Sequence, residues 1–127
     1  MQAAKLELRH QLSGAGMRAY PNIARAWGLT DAQAARLLGT PPSTYRRWKR
    51  DPERANLDVN HLERLSLILG IYKNLHILLP RPDSADSWVR RPNTNPLFGG
   101  QAPIDRMLAG QVGDLFVVRQ HLDAARG

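Results

Sequence analysis

Cysteine is absent from the 127 residues of this chain. A disulfide framework, a thiolate zinc site, an iron–sulfur cluster and thiol redox chemistry are therefore excluded. No apolar run is long enough to span a bilayer, since charged side chains interrupt even the leucine-rich region from Leu57 to Leu79. The first sixteen residues also lack the apolar segment of a secretory signal. We therefore expect no membrane partner, and the composition is compatible with a reducing cytosol. We interpret residues 1–17 as a mobile arm or a frayed first helix.

Sequence patterns of strands and of catalytic sites are missing as well. Alternating apolar and polar runs bounded by turn dipeptides do not occur, whereas apolar residues recur at helical spacing almost throughout. The four histidines show no metal-ligand spacing, no glycine loop precedes a Lys-Ser or Lys-Thr pair, and Glu63 and Asp105 are isolated carboxylates. The sequence thus predicts an all-α protein that is not an enzyme and that needs neither a metal nor a cofactor.

What the chain does have is an excess of positive charge. Eighteen Lys and Arg against eleven Asp and Glu give a formal net charge of +7. Residues 31–50 hold five basic side chains and a single acidic one, Asp31. Such a stretch favours a polyanionic partner, and nucleic acid is the first candidate.

The same stretch has the end signals of two short helices joined by a tight turn. The sequence Thr30-Asp31-Ala32-Gln33 has the form of a capping box, in which a hydroxyl and an amide satisfy free backbone N–H groups at a helix start. Gly39 is suited to the end of that helix, and Pro42 to the first turn of the next. We therefore predict a first helix that ends near Trp27, a second that ends at Gly39, and a third that ends near Arg50.

Two helices of this kind, the second rich in arginine, are typical of a helix-turn-helix. Tyr45 and Trp48 share one face of the third helix and can pack back onto the second helix. The polar and cationic side chains then lie on the outer face of the third helix. They are Ser43, Thr44, Arg46, Arg47, Lys49 and Arg50.

We assign two roles within this outer face. The N-terminal part of such a helix meets base edges in the major groove, where arginine can bond guanine in a bidentate manner. The residues predicted to read bases are Ser43, Thr44 and Arg47. Those predicted to contact phosphates are Arg46, Lys49 and Arg50. The alternative is that this face is a solvated basic surface without a partner.

The rest of the chain is also predicted to be helical. A long helix from about Asp58 to Leu79 carries a stripe that could serve dimerisation or burial within one subunit: Leu62, Leu65, Leu69 and Tyr72. After it we expect a short segment over residues 84–90, a connection rich in turn formers over 92–103, a helix from about residue 104, and a last helix over about 112–125. That last helix is amphipathic through Val112, Leu115, Val118 and Leu122, so it must cover a surface.

A longer motif occupies about the last forty residues. It comprises Trp88, Arg91-Pro92-Asn93, Leu97-Phe98-Gly99-Gly100, Pro103-Ile104-Asp105, Met107, Gly110, Leu115, Val118-Arg119 and Leu122-Asp123. With this motif the chain resembles the Xre/MbcA/ParS-type antitoxins, and particularly those encoded beside RES-domain toxins. The helix-turn-helix suits the Xre half of the family, so the resemblance covers most of residues 18–125.

The resemblance implies a bacterial cytoplasmic antitoxin. Such a protein forms a homodimer, covers the active-site pocket of a RES-domain toxin with its C-terminal region, and represses its own operon by binding operator DNA. The toxins of these pairs act on NAD, and the antitoxin needs no catalytic group. On this basis we expect an arm at 1–17, a helix-turn-helix region at 18–56, a connecting or dimerisation helix at 57–80 and a toxin-binding domain at 81–127.

The resemblance also implies a set of residues for the toxin-binding site. One group would shape the toxin-binding domain or contact the toxin directly: Trp88, Phe98, Gly99, Gly100 and Asp105. A second group lies on the last helix, where contact with the toxin is expected: Arg119, Leu122, Asp123 and Arg126.

Two other functions are compatible with the same residues. One is a stand-alone dimeric helix-turn-helix regulator, whose C-terminal helices only dimerise it. Paired half-sites favour a dimer in this case too, because a single short recognition helix buries little surface. The other is a toxin-neutralising protein that does not bind DNA.

The two assigned roles on the third helix predict different mutational effects. Arg47→Ala should cost about 1–3 kcal/mol of binding free energy at a specific DNA site and little on unrelated DNA. Lys49→Ala should weaken binding to all duplexes similarly, because a phosphate contact carries no sequence information. Titrations of both variants against a specific and an unrelated duplex test this assignment. Equal losses on every duplex for both variants would contradict it.

Overall fold

The structure, a computed structural model, describes residues 2–127 and the side chains of residues 3–127. Seven α-helices are found in this part of the chain: α1 (Gln2–Ala26), α2 (Asp31–Leu38), α3 (Pro42–Arg50), α4 (Val59–Leu78), α5 (Pro82–Ser87), α6 (Pro103–Met107) and α7 (Val112–Arg126). Two single 3-10 turns, Pro52–Arg54 and Trp88–Arg90, lie between them. The prediction of an all-α fold is confirmed. Across residues 2–127, none of these helices combines the length and the apolar character that crossing a bilayer requires.

The chain divides into two compact units, Met1–Leu65 and Ser66–Gly127. The boundary falls inside α4, whereas the sequence placed boundaries at residues 17, 56 and 80. Of the segment interpreted as a mobile arm or a frayed first helix, residues 2–17 are helical, because α1 continues without a break from Gln2 to Ala26. Residue 1 lies outside the described residues.

Two tyrosines hold the three helices of the first unit together. The hydroxyl of Tyr20 on α1 donates a hydrogen bond of 2.7 Å to the carbonyl of Ala34 on α2. Its ring meets that of Tyr45 on α3 edge to face, with 5.8 Å between the ring centroids. Burial raises the pKa of Tyr20 well above its usual range and that of Tyr45 to about 12, so both remain neutral phenols.

The predicted signals at the ends of α2 are confirmed. The Thr30 hydroxyl accepts from the backbone N–H of Gln33 at 3.1 Å, and the Gln33 side chain accepts from the N–H of Thr30 at 3.0 Å. Gly39 ends the helix with a φ of 78°, a left-handed conformation that favours glycine. Pro42 then begins α3, where its missing N–H leaves no helical bond unmade.

A buried serine fixes the chain between α3 and α4. The hydroxyl of Ser13 donates to the carbonyl of Arg9 at 2.8 Å and accepts from the N–H of Leu57 at 3.0 Å. Leu57 is therefore held against α1 with its backbone satisfied. One turn further along α1, Gly16 lies so close to the Leu65 side chain that a Cβ atom would be 2.2 Å from Leu65 Cδ2.

The second unit has its own apolar core. It is formed by side chains of the C-terminal part of α4, of α5 and the turn after it, of α6 and of α7: Ile68, Ile71, Leu75, Ala85, Val89, Ile104, Met107, Leu115, Val118 and Leu122. Three of the four residues in the predicted apolar stripe of the last helix are fully buried, and Val112 is half-buried. The amphipathic face predicted for that helix is confirmed, and it covers a surface within the chain.

Two glycines of α1 provide a matched test of the packing of the first unit. We expect Gly16→Ala to lower the free energy of unfolding by about 1–3 kcal/mol relative to Gly14→Ala, because its Cβ would overpack the buried Leu65 side chain. A Cβ on Gly14 would have no neighbour closer than 3.3 Å. Both changes remove a helical glycine, so the gain in helix propensity cancels in the comparison. Urea denaturation of the two variants measures the difference, and equal stabilities would refute the close packing of α1 on Leu65.

Candidate functional site

The outer face of α3 is accessible, as the sequence predicted. Tyr45 and Trp48 are buried, with exposed fractions of 1% and 7%. The remaining side chains of the predicted DNA-binding set lie outside the core: Ser43, Arg46, Arg47, Lys49 and Arg50 are exposed, and Thr44 is half-buried. The structure thus brings the six residues together on one helix with their polar groups free of the core.

One acidic residue offsets part of the positive charge of this face. The carboxylate of Asp31, in the first turn of α2, accepts a hydrogen bond of 2.7 Å from Lys49 Nζ. Its other oxygen lies 3.4 Å from Nε of Arg46. The hydrogen bond from Lys49 lowers the pKa of Asp31, which therefore stays ionised at neutral pH. Two of the three residues predicted to contact phosphates are thus already paired within the chain.

Beside α3, the surface continues onto α1. A cleft of about 730 Å³ is lined by cationic side chains of both helices: Arg18, Arg25, Arg46, Lys49 and Arg50. The two α1 arginines lie outside the basic stretch at residues 31–50 and were not predicted from the sequence. Their spacing of seven residues on one helix is a signal that could have found them.

In the second unit, three rings from distant parts of the sequence meet. Trp88 and Phe98 pack edge to face with 5.9 Å between their centroids. His121 of α7 stacks on Trp88 at 6.4 Å and meets the edge of Phe98 at 5.8 Å. Trp88 and Phe98 were expected to shape this domain, and both lie in this cluster. His121 was not expected here, because the four histidines show no spacing that distinguishes one of them.

The loop between the 3-10 turn and α6 is held by its own backbone and by two asparagines. Side-chain oxygens of Asn93 and Asn95 accept from backbone N–H groups two residues further on, at 2.9 and 3.0 Å. Gly99 and Gly100 have φ angles of 56° and 86°, and a Cβ on either would meet nothing within 4 Å. Both glycines are thus required by backbone conformation and not by close packing.

A buried amide ties α4 to α7. Asn74, with an exposed fraction of 1%, donates through Nδ2 to Asp123 Oδ1 at 2.7 Å and accepts through Oδ1 from Arg126 Nη1 at 2.7 Å. Arg119 Nε lies 3.3 Å from the same carboxylate oxygen. The hydrogen bond from Asn74 lowers the pKa of Asp123. The sequence predicted Arg119, Asp123 and Arg126 for this surface but not the asparagine that orients two of them.

A glycine makes room for the first of these arginines. A Cβ on Gly70 of α4 would lie 1.9 Å from Nη1 of Arg119, so only glycine lets the guanidinium lie against this helix without displacement. Gly70 is also the poorest helix former of α4. Its cost to helix stability is thus linked to the position of Arg119.

The toxin-binding residues implied by the resemblance divide into a buried and a surface group. Phe98 and Leu122, with exposed fractions of 5% and 3%, are buried in the core of this unit. The polar members and the two glycines are at the surface or half-buried: Gly99, Gly100, Asp105, Arg119, Asp123 and Arg126. Phe116 was not in the set, yet it is 54% exposed on α7. Its place outside the apolar stripe of that helix was a signal that it faces outward.

Comparisons with known proteins also divide the chain into an N-terminal and a C-terminal part. Residues 7–70 match the family model "Antitoxin Xre-like helix-turn-helix domain", and residues 74–127 match "Antitoxin Xre/MbcA/ParS C-terminal toxin-binding domain". The chain is also 43% identical over 114 residues to uncharacterized protein y4oB of Sinorhizobium fredii (strain NBRC 101917 / NGR234). That alignment covers 89% of this chain and 85% of the relative.

The fold and the two matches define a helix-turn-helix protein with a toxin-binding domain. The chain belongs to the Xre/MbcA/ParS-type antitoxins, and its protein partner is a toxin. These families are regulatory and toxin-binding rather than enzymatic.

The buried amide of Asn74 predicts a pH-dependent effect. We expect Asn74→Ala to lower the free energy of unfolding by about 1–3 kcal/mol, because a buried side chain and two hydrogen bonds to charged groups are lost. The pKa of Asp123 should rise toward its ordinary value in the variant. A carboxyl whose folded pKa is depressed contributes stability above its unfolded pKa, about 3.9, and loses that contribution as the pH falls through the folded pKa. The stability difference should therefore shrink on acidification.

Urea denaturation across pH 2–7 and an NMR titration of Asp123 measure these effects. Asn60→Ala, a change at an exposed asparagine of the same helix, is the control and should alter neither quantity. An unchanged Asp123 pKa in Asn74→Ala would show that the amide does not hold the carboxylate.

Proposed function

We propose that this antitoxin neutralises a NAD-consuming RES-domain toxin by covering its active site, and that it represses its own operon by binding operator DNA as a homodimer. The antitoxin itself performs no catalysis in this proposal. The single observation that carries it is the union in one chain of a toxin-binding domain, over residues 74–127, with an exposed cationic α3 face.

The exposed surface of α7 supports a contact with the toxin through an aromatic anchor. Phe116 is 54% exposed on α7, and Gln120 is exposed one turn further along. Large aromatic side chains of this kind often provide most of the binding energy of a protein interface. The oriented charges of Arg119, Asp123 and Arg126 would supply polar contacts around it.

The α3 face supports operator binding through its composition. Hydroxyls at Ser43 and Thr44 occupy the first turns of α3, the part of a recognition helix that meets base edges. Guanidinium and ammonium groups follow on the outer side of the last turn. This order fits base contacts through the two hydroxyls and phosphate contacts through Lys49 and Arg50, while Arg47 of the last turn is proposed to reach a base with its longer side chain.

A groove in the first unit supports a homodimer. Leu6, Leu8 and Leu12 of α1 and Val59 at the start of α4 are each about half-exposed or more, and they line an apolar groove of about 320 Å³. Of the stripe considered from the sequence, Leu62 also lines this groove, whereas Leu65 is buried within the unit. A second copy packed on the groove would cover these leucines and present two α3 helices to paired half-sites. Light scattering on the purified protein measures the mass that tests this part of the proposal.

Co-expression tests the proposed function directly. The tagged antitoxin, produced with the product of its neighbouring gene, should capture that product, preserve cellular NAD and allow growth. Phe116→Ala should weaken the capture by tenfold or more, the loss of about 1.4 kcal/mol or more expected for an aromatic anchor. Ile77→Ala, a change at an exposed apolar residue of α4 outside the proposed dimer groove, is the control and should leave capture intact.

Three outcomes would contradict parts of the proposal. If the captured protein leaves cellular NAD unchanged when it is expressed without the antitoxin, the RES-type activity is excluded. A protein that binds its promoter but captures no neighbour would favour a stand-alone regulator. Capture without any binding to the promoter at low salt would restrict the function to toxin neutralisation.

A further inference from the structure

We infer that α1 contributes phosphate contacts of its own, through Arg18 and Arg25, and that the cleft between α1 and α3 takes the sugar–phosphate backbone of duplex DNA. This inference rests on the proposed function, because it presupposes that the helix-turn-helix unit binds DNA. It adds a second helix to a surface that the sequence confined to α3.

The side chains that line the cleft are mostly cationic. Three of its cationic side chains come from α3 and two from α1, and Asp31 is the one carboxylate among the residues that line it. Five positive charges against one negative charge on a concave surface attract an anion that extends over several charged groups. Duplex DNA carries one phosphate charge per about 1.7 Å of helix axis, which suits such an array.

The spacing of the two α1 arginines matches the phosphate spacing of one DNA strand. Arg18 and Arg25 are seven residues apart, so they share one face of the helix and are separated by about 10.5 Å along its axis. That distance is close to the rise of about three nucleotides of one strand, at about 3.4 Å each. The two side chains can thus follow one strand across the cleft, while base contacts are left to the N-terminal turns of α3.

The two arginines differ in their partners. Arg25 donates to the neutral amide oxygen of Asn22 at 3.2 Å. Among residues 3–127, the ion pairs of this cleft join carboxylates to Arg18, Arg46 and Lys49 and not to Arg25. Arg18 forms an ion pair with Glu53, and both side chains are more than half exposed. An exposed pair of this kind contributes little to stability and can be exchanged for a phosphate contact. Arg25 should therefore contribute directly, and Arg18 in competition with Glu53.

The first test measures the salt dependence of DNA binding. For Arg25→Ala, the slope of log K against log salt should become shallower by about 0.9, the value for one lost phosphate contact, on the duplex upstream of its own gene and on an unrelated duplex alike. Arg25→Lys should keep most of the slope, because an ammonium also binds phosphate. Arg54→Ala removes an exposed arginine of the same unit that does not line the cleft, and it should leave the slope unchanged.

The second test is a gain of binding. Glu53→Gln should raise affinity for both duplexes, because Arg18 is released from its ion pair. The gain should vanish when Arg18→Ala is combined with it. If the gain persists in the double variant, the effect comes from net charge and Arg18 makes no contact.

The outcomes separate this inference from the proposed function. If the wild-type protein binds its promoter and Arg25→Ala leaves the slope of log K against log salt unchanged, the α1 contact is overturned and operator binding remains intact. Wild-type protein that binds no duplex at low salt would overturn both. A loss in Arg25→Ala confined to the specific duplex would also overturn the inference, since it would indicate base readout.

Discussion

The exposed cationic face of α3 depends on the contact between Tyr20 and Tyr45. The hydroxyl of Tyr20 is bonded to α2 and its ring is packed against α3, so one buried side chain sets the positions of three helices. Because Tyr45 and Trp48 are committed to this packing, every charged residue of α3 must lie on the other side. The cationic surface is thus a consequence of where two aromatic rings are buried.

The second unit uses a polar group for a comparable purpose. Asn74 is buried, and both ends of its amide are hydrogen-bonded to side chains of α7. A buried amide tolerates only an arrangement that satisfies it, so it selects one register between α4 and α7, which apolar contacts alone would specify less strictly. The antitoxin's candidate toxin surface and the core beneath it are therefore linked by a single residue.

Local signals made much of the fold predictable. The capping box at Thr30, the glycine at position 39 and the proline at position 42 each act within one turn of a helix, and each was read correctly from the chain alone. The predicted bounds of α4 and α7 were close for the same reason, since apolar spacing is a property of one helix. The family resemblance added the division into an N-terminal helix-turn-helix and a C-terminal toxin-binding domain.

The remaining features depend on residues far apart in the sequence. The pairing of Arg18 with Glu53, the contact of Gly70 with Arg119 and the stacking of Trp88 on His121 each need the tertiary structure, because no periodic pattern joins the partners. Leu122 belongs to two patterns: its place in the motif suggested a contact with the toxin, and its place in the apolar stripe of α7 agrees with its burial in this structure.

Asp31 and Glu53 act as internal counterions at the cationic cleft. A carboxylate that must give up its partner lowers the affinity for every polyanion by a similar factor, whatever the sequence of the bases. Because this factor is the same for a specific and an unrelated site, it does not change the preference between them. In the proposed binding to operator DNA, the two acidic side chains would thus shorten the residence on any duplex, while the preference for one sequence would rest on the few groups that touch bases.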